Sequence, residues 1–331
     1  MVSKKGEEEY VERTTPPASI MRSGALYEIG VGMWYERTGA DLPFGDIRIS
    51  LDRREPNPER ADLTFAVDTD RSPLLVAMGR ADLSFFNPSA FLAMAYRGVG
   101  PFPKPLPLRT IAVFPSWDRM GFVISRRTGL SSLTAVRDQR YPLRVSVRAL
   151  DTDATRYVVD EVLGTLGFSL RDIESWGGSI HRARTPGDPS RLAGIADGSI
   201  DAVFDEGINP WGHEALAHGM QFLPLEGAVQ RHMRALGWEV KSITPSWDAA
   251  LERDIAAIDF SGWPLYTREE LPEEIAYRIC RSLDLARPRI VFDSPTPVEL
   301  ADFCTNGDAA PLAAPLHPGA ERYYREQGAL R

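Results

Sequence analysis

Two acids stand next to each other at the end of a short apolar run in the segment GSIDAVFDEGINPW. Asp205 and Glu206 follow the apolar residues 202–204, and a Gly-Ile-Asn-Pro turn comes directly after them. Carboxylates in such a place can hold a cationic or hydroxyl group of a ligand, or transfer protons where burial raises their pKa. A structural role is the alternative, in which Asp205 pairs with a nearby arginine.

A second segment, GRADLSFFNP, has the same order of residue types as GSIDAVFDEGINP. Each begins with glycine, continues with an aspartate and an apolar run, and ends on Asn-Pro, so Asp82 corresponds to Asp201 and Asn87 to Asn209. Such units are common in α/β proteins, and chance similarity is one interpretation. The other is a pair of lobes that each send the carboxyl end of a strand toward a shared cleft, where ligands of such sheets bind.

The sequence contains no complete motif for metal binding or covalent catalysis. His213 and His218 are the first and last residues of HEALAH, which is one residue longer than the zinc-protease motif HExxH. On a regular helix the two rings then point about 140° apart, too far to share a metal ion. GxSxG, phosphate-loop and CxxC motifs do not occur in the sequence. We therefore predict no metal, no cofactor and no catalytic residue.

The elements that must position the acids alternate along the chain between strand-like and helix-like apolar patterns. Strands are predicted at residues 47–51, 81–86, 108–114, 121–125, 143–147, 202–204 and 221–223. Helices are predicted at residues 28–37, 72–78, 152–166, 189–196, 227–236 and 272–285. This alternation is typical of an α/β protein with mostly parallel sheets.

Composition and charge narrow the class of partner. The 331 residues carry 46 acids against 38 bases, a net charge of −8. This balance disfavours nucleic acid and anionic membranes, which need a basic surface. Cys280 and Cys304 are too few for a disulfide framework, and we predict that both are small core residues.

The first residues of the chain are dense in charge and end in Pro16 and Pro17, without an apolar segment typical of a secretory signal. We expect residues 1–18 to form a disordered, solvated tail. On this basis the sequence as written predicts a cytoplasmic protein.

Several long segments carry a family resemblance: SGALYEIGVGMWYE, LRTIAVFPSWDRMGFVISRRTGLSSL, IADGSIDAVF, IDFSGWPLYTREELPEEIAYRIC and PLHPGAERYYREQGAL. In these segments and their order, the chain from Arg22 onward resembles the solute-binding subunits of TRAP-associated extracytoplasmic (TAXI) transporters. The resemblance implies the two-lobed type II periplasmic binding protein fold, with a hinge between α/β lobes. We assign residues 19–125 and 226–331 to the first lobe and residues 126–225 to the second.

The resemblance also places ligand contacts in four loops, and it implies that arginines grip the acidic end of a ligand while acids grip its cationic end. The third loop, ALDTDA, departs from the glycine-serine turn of the family and adds negative charge. Trp117 and Trp211 are predicted as flat walls. The full set of predicted ligand-binding residues is Arg22, Ser23, Tyr27, Arg71, Ser72, Asn87, Trp117, Arg119, Asp151, Thr152, Asp205, Glu206 and Trp211.

The function implied by the resemblance is reversible binding of a small polar solute, an organic acid or an amino-acid-like zwitterion, with TRAP membrane subunits as partners. Members of the family are normally periplasmic, in contrast to the location predicted from the N-terminus. Two alternatives stay open. One is a cytoplasmic enzyme on the same fold, because AVFPSWDRMGFVI is similar to dihydroxyphthalate decarboxylases. The other is a ligand sensor.

Overall fold

The structure is a computed structural model that describes residues 18–36, 72–149 and 153–331, with side chains from residue 21 to residue 33 in the first range. The predicted tail up to residue 17 and the predicted strand at 47–51 lie outside the described residues. Three predicted ligand contacts also lie outside them: Arg71, Asp151 and Thr152.

The helices of the described residues are α1 (Ala18–Glu36), α2 (Ser72–Ala77), α3 (Ser89–Arg97), α4 (Leu133–Asp138), α5 (Ala154–Thr165), α6 (Leu170–Ser175), α7 (Pro189–Asp197), α8 (Gly212–Ala217), α9 (Gly227–Ala235), α10 (Glu273–Ala286) and α11 (Pro318–Glu326). The strands are β1 (Ser84–Phe85), β2 (Leu108–Phe114), β3 (Arg119–Ser125), β4 (Arg144–Arg148), β5 (Ser179–Ala183), β6 (Ala202–Asp205), β7 (Met220–Phe222), β8 (Val240–Ile243), β9 (Ile255–Asp259) and β10 (Trp263–Arg268).

The described strands form two sheets. The smaller has the order β1-β10-β2, and the larger has the order β5-β4-β6-β3-β9-β8, with β7 also paired to β3. The predicted α/β fold class is confirmed. The predicted lobe boundaries stay a prediction, and β8 and β9, which come from the range 226–331, belong to the larger sheet.

The expectation of mostly parallel sheets needs correction for the described strands. Of the pairings between two described strands, only those of β4 with β5 and with β6 are parallel, and the others are antiparallel. Two isolated parallel bridges, Thr110 to Leu316 and Ser116 to Asp293, lie outside these strand pairs. Parallel neighbours require a long crossover connection. The helices α5 and α6 supply it between β4 and β5, whereas β3 runs against all its neighbours.

Helix α1 begins ten residues before the predicted start of that helix at residue 28. Its apolar residues Met21, Ala25, Ile29 and Met33 follow one another at every fourth position and are all buried. They share a core cluster with residues of α10, so this stripe is the face that α1 buries. The predicted ligand-binding turn at residues 22–27 is therefore part of a helix.

Buried apolar residues form three core clusters in the described part of the chain. Cys280 and Cys304 are free and buried, which confirms their prediction as core residues. Among the described helices, none has the length and apolar character needed to cross a membrane.

Gly319 marks the closest approach of α11 to α10. A Cβ atom at this position would lie 2.0 Å from the backbone oxygen of Glu273. We expect Gly319→Ala to lower the free energy of unfolding by about 1–3 kcal/mol, because the backbones must separate. Gly164 in α5 has no atom within 4 Å of such a Cβ, so Gly164→Ala should raise stability by about 0.5–1 kcal/mol. Urea unfolding of both variants checks this, and equal effects would contradict the close contact.

Candidate functional site

The candidate site lies at the carboxyl ends of β4 and β6. These strands are parallel neighbours, so their last residues, Arg148 and Asp205, come to the same edge of the sheet. Helix α5 begins at Ala154, shortly after β4, so its N-terminus follows the same edge. The edge thus combines a guanidinium, two acids and the positive end of a helix dipole.

Asp205 is a fully buried carboxylate between two arginines. Its Oδ1 accepts from Nε of Arg148 at 3.0 Å, and its Oδ2 accepts from a terminal nitrogen of Arg191. Arg191 is also fully buried, and its Nε donates to Ser146 Oγ on β4 at 2.9 Å. Two guanidinium partners therefore compensate the desolvation of this carboxylate. The structural role considered for Asp205, pairing with a nearby arginine, is confirmed.

Glu206 is buried next to Asp205 and pairs with the same arginine. A terminal nitrogen of Arg148 donates to Glu206 Oε1, and the Asp118 carboxyl group lies close enough to Glu206 for the two to interact electrostatically. The carboxyl group of Asp118 also accepts from the backbone N–H of Gly207, at 2.7 Å to Oδ2. The acid pair therefore links the turn after β6 to the segment that leads into β3.

Burial, and next the Glu206 carboxylate, raise the pKa of Asp118 well above its ordinary value of 3.8. Hydrogen bonds from the backbone N–H groups of Gly207 and Arg119 act in the opposite direction and are weaker. Protonation of Asp118 leaves one charge instead of two on these adjacent buried carboxyl groups.

Asp118, Arg148, Arg191, Asp205 and Glu206 form what we call the Arg148 cluster. Arg148 is its member that reaches solvent, with 16% of its side chain exposed. Burial lowers its pKa, but Asp205, Glu206 and Asp153 together outweigh this and raise the pKa, so Arg148 remains a cation. Its third contact is to the backbone oxygen of Arg184 at 3.1 Å. A guanidinium has five N–H donors, so these three contacts with described residues leave donors for a further acceptor.

The predicted contacts of the first loop lie on α1. Arg22 is buried with its Cζ 4.6 Å from the ring centroid of Trp263, whereas Tyr27 is 56% exposed. Ser23 lies between them on the same helix. In the described part of the chain, none of the contacts named above joins these residues to the Arg148 cluster. Their role in ligand binding stays a prediction.

Three further predicted ligand-binding residues, Ser72, Asn87 and Trp211, lie in different parts of the fold. Ser72 is buried and accepts from the Tyr266 hydroxyl at 2.8 Å. Asn87 has a buried Oδ1 without a hydrogen-bond partner in the described part of the chain. Trp211 is fully buried, and its Nε1 donates to the backbone oxygen of Glu206 at 3.0 Å, so it supports the turn after β6 from the core.

Trp117 and Arg119 line a separate pocket of about 390 Å³. Of the predicted residues, the structure therefore brings Asp205, Glu206 and Trp211 together at the end of β6, and it brings Trp117 and Arg119 together in this pocket.

Three charged residues of the cluster were missed by reasoning on the sequence: Asp118, Arg148 and Arg191. Arg148 directly follows the predicted strand at 143–147, and this position was an available signal. Arg191 had none, because a single arginine on an amphipathic helix is typical of a solvated face. No group of His, Cys, Asp or Glu side chains with the geometry of a metal site occurs among the described residues.

Comparison with known proteins gives distant matches. No protein-family profile matches the chain. A glycine betaine/L-proline-binding protein (ProX) of an ABC transporter from Borrelia burgdorferi is 12% identical, with a TM-score of 0.39, over 78% of this chain and 76% of that one. Lactococcal OpuAC with bound glycine betaine is 10% identical, with a TM-score of 0.36, over 93% of this chain and 92% of that one. PhnD1 from Prochlorococcus marinus with methylphosphonate is 9% identical, with a TM-score of 0.38, over 78% and 83%.

Loss of Arg191 should destabilise the protein strongly. Arg191→Met leaves the buried Asp205 with one guanidinium fewer, and we expect the free energy of unfolding to fall by about 3–5 kcal/mol. Arg325, whose side chain is 52% exposed, pairs with Glu321 on the surface of α11, so Arg325→Met should cost at most about 0.5 kcal/mol. Denaturant unfolding measures both, and a small loss for Arg191→Met would contradict the compensating role of the pair.

The raised pKa of Asp118 predicts a specific pH dependence of stability. A raised carboxyl pKa contributes stability below the unfolded value near 3.8, and this contribution is lost as the pH rises through the folded value. Relative to Asp118→Asn, the wild type should therefore become less stable from about pH 4 upward, by at most about 1.4 kcal/mol per pH unit.

Asp188→Asn provides a control in which the effect on stability should change with pH in the opposite direction. The hydroxyl of Ser190 and the backbone N–H of Arg184 lower the pKa of Asp188 to about 2, so its contribution is lost as the pH falls toward that value. Unfolding curves at a series of pH values measure both differences. A flat difference for Asp118→Asn would exclude a raised pKa at this carboxyl group.

Proposed function

We propose that this protein reversibly binds a small polar organic solute, a carboxylate or a zwitterion, at the carboxyl ends of β4 and β6. One observation carries the proposal: the Arg148 guanidinium is fixed by Asp205 and Glu206 and still keeps donors and a partly exposed surface. A charged group that its neighbours hold in place binds a ligand without a large cost of ordering.

The start of α5 adds a second point of attachment. Asp153 stands at the N-cap of α5, but its side chain makes no capping hydrogen bond. The first N–H groups of a helix lack acceptors within the helix and favour an anionic group. A solute carboxylate between Arg148 and these N–H groups, with a cationic or hydroxyl group toward Glu206, fits the charges of the edge.

The assignment to a particular family of solute-binding proteins rests on the sequence. The segments from Arg22 onward support membership of the TAXI solute-binding subunits, with a type II binding-protein architecture, closure of two lobes about a hinge, and TRAP membrane subunits as partners. A solute at the edge of β4 and β6 agrees with this assignment, because ligands of α/β sheets bind outside the carboxyl ends of the strands.

An enzymatic function is the second candidate, favoured by the acid pair. Asp118 has a raised pKa and lies beside Glu206, and a buried carboxyl group with a raised pKa can donate or accept a proton. Incubation of a bound solute with the protein, followed by mass spectrometry, distinguishes the two candidates. A consumed solute supports the enzyme, and an unchanged one supports binding alone.

A thermal-shift panel of dicarboxylates, amino acids and aromatic acids tests the binding proposal. A solute at a hundredfold excess over its Kd should stabilise the protein by about 2.7 kcal/mol. Arg148→Lys keeps the charge but loses the planar fork of donors, so it should weaken any hit at least about tenfold. Glu206→Gln keeps the shape but loses the charge, so it should weaken an amino-acid hit, whose cationic group faces Glu206, by a similar factor.

The surface variant Arg325→Met is the matched control and should bind as the wild type does. Stabilisation that persists unchanged in both Arg148→Lys and Glu206→Gln would place the solute elsewhere and reject the assigned site. A panel without any stabilising solute would reject the proposal for these classes.

A further inference from the structure

The pocket beside Trp117 and Arg119 is distinct from the Arg148 cluster. Its volume is about 390 Å³, which is in the range of small-molecule sites. Asp118, between these two residues in the sequence, contacts Gly207 instead. The pocket and the cluster thus share a backbone segment but use different side chains.

Charges around this pocket balance one another. Arg119 contacts Asp259 at 2.8 Å and Asp308 at 3.1 Å, and Lys241 contacts the same two carboxylates at 2.8 Å each. Two cations and two acids leave no net charge for an ionic ligand to neutralise. The Arg119 guanidinium also lies over the Trp117 ring, 4.7 Å from its centroid, so a cation already occupies one face of this indole.

Hydrogen-bonding capacity remains unused at the same place. The Asp308 side chain is 59% exposed and can accept further hydrogen bonds. The hydroxyls of Ser242, Thr244 and Ser246 line the pocket as both donors and acceptors.

A second indole belongs to the lining. Trp247 stacks on His213 with ring centroids 4.2 Å apart, and its Nε1 donates to Asn209 Oδ1 at 2.8 Å. These contacts hold the indole in one orientation. The pocket therefore presents rigid aromatic surface together with hydroxyls and one carboxylate.

We propose that this pocket binds an uncharged hydroxylated ring, a monosaccharide. Sugar hydroxyls donate and accept at once, so they match both the exposed Asp308 carboxylate and the hydroxyls of Ser242, Thr244 and Ser246. The apolar face of a sugar ring packs against an indole such as Trp117 or Trp247. An ionic ligand would disturb the four-charge balance, whereas an uncharged one leaves it intact.

Titration of the full chain with D-glucose, D-galactose and D-ribose, followed by tryptophan fluorescence and calorimetry, tests the proposal. We expect saturable binding of at least one sugar with a Kd of about millimolar, which is typical of a ligand of this size. Trp247→Leu should weaken binding at least about tenfold, and Thr244→Val, which keeps the side-chain shape, should weaken it about threefold to tenfold.

Trp176 provides the matched control, because it stacks on Phe168 and does not line the pocket. Trp176→Leu should bind sugar as the wild type does. If Trp247→Leu does not fold, Thr244→Val and Ser242→Ala decide the result. The proposal is overturned if no sugar binds saturably through the millimolar range, if the pocket variants bind as the wild type does, or if benzoate or tetramethylammonium binds more tightly at this pocket.

Discussion

The buried pairing of Asp205 with two arginines is the interaction on which the rest of the candidate site depends. A carboxylate without exposure is tolerated only when partners replace its lost hydration. Arg191 of α7 and Arg148 of β4 supply that replacement, and Arg191 also bonds to Ser146. One helix and two strands are therefore held together by charge at the edge where Glu206 and the start of α5 lie.

Residues 117–119 connect this edge to the rest of the larger sheet. Asp118 bonds to the turn after β6, while Arg119 pairs with Asp259 at the end of β9. Because β3 pairs with β6, β7 and β9, its first residues stand between the two regions where we propose ligands to bind.

Local elements were predictable because their signals are local. The strand predicted at 108–114 is β2, and the helix predicted at 189–196 is α7, which ends one residue later. Apolar periodicity and capping residues act over a few positions, so the sequence shows them directly. The start of α1 was missed, since its buried stripe begins at Met21 and requires α10 as a partner.

The sequence by itself determined the α/β class, most described elements, and the place of Asp205 and Glu206 at a strand end. Only the tertiary structure decided what those acids contact. Arg148 precedes Asp205 by 57 residues and Arg191 precedes it by 14. Pairing over such separations depends on which strands become neighbours and in which register, and register is a property of the whole sheet. For the same physical reason, Trp117 and Arg119 meet Trp247 and Asp308 in one pocket only after the chain has folded.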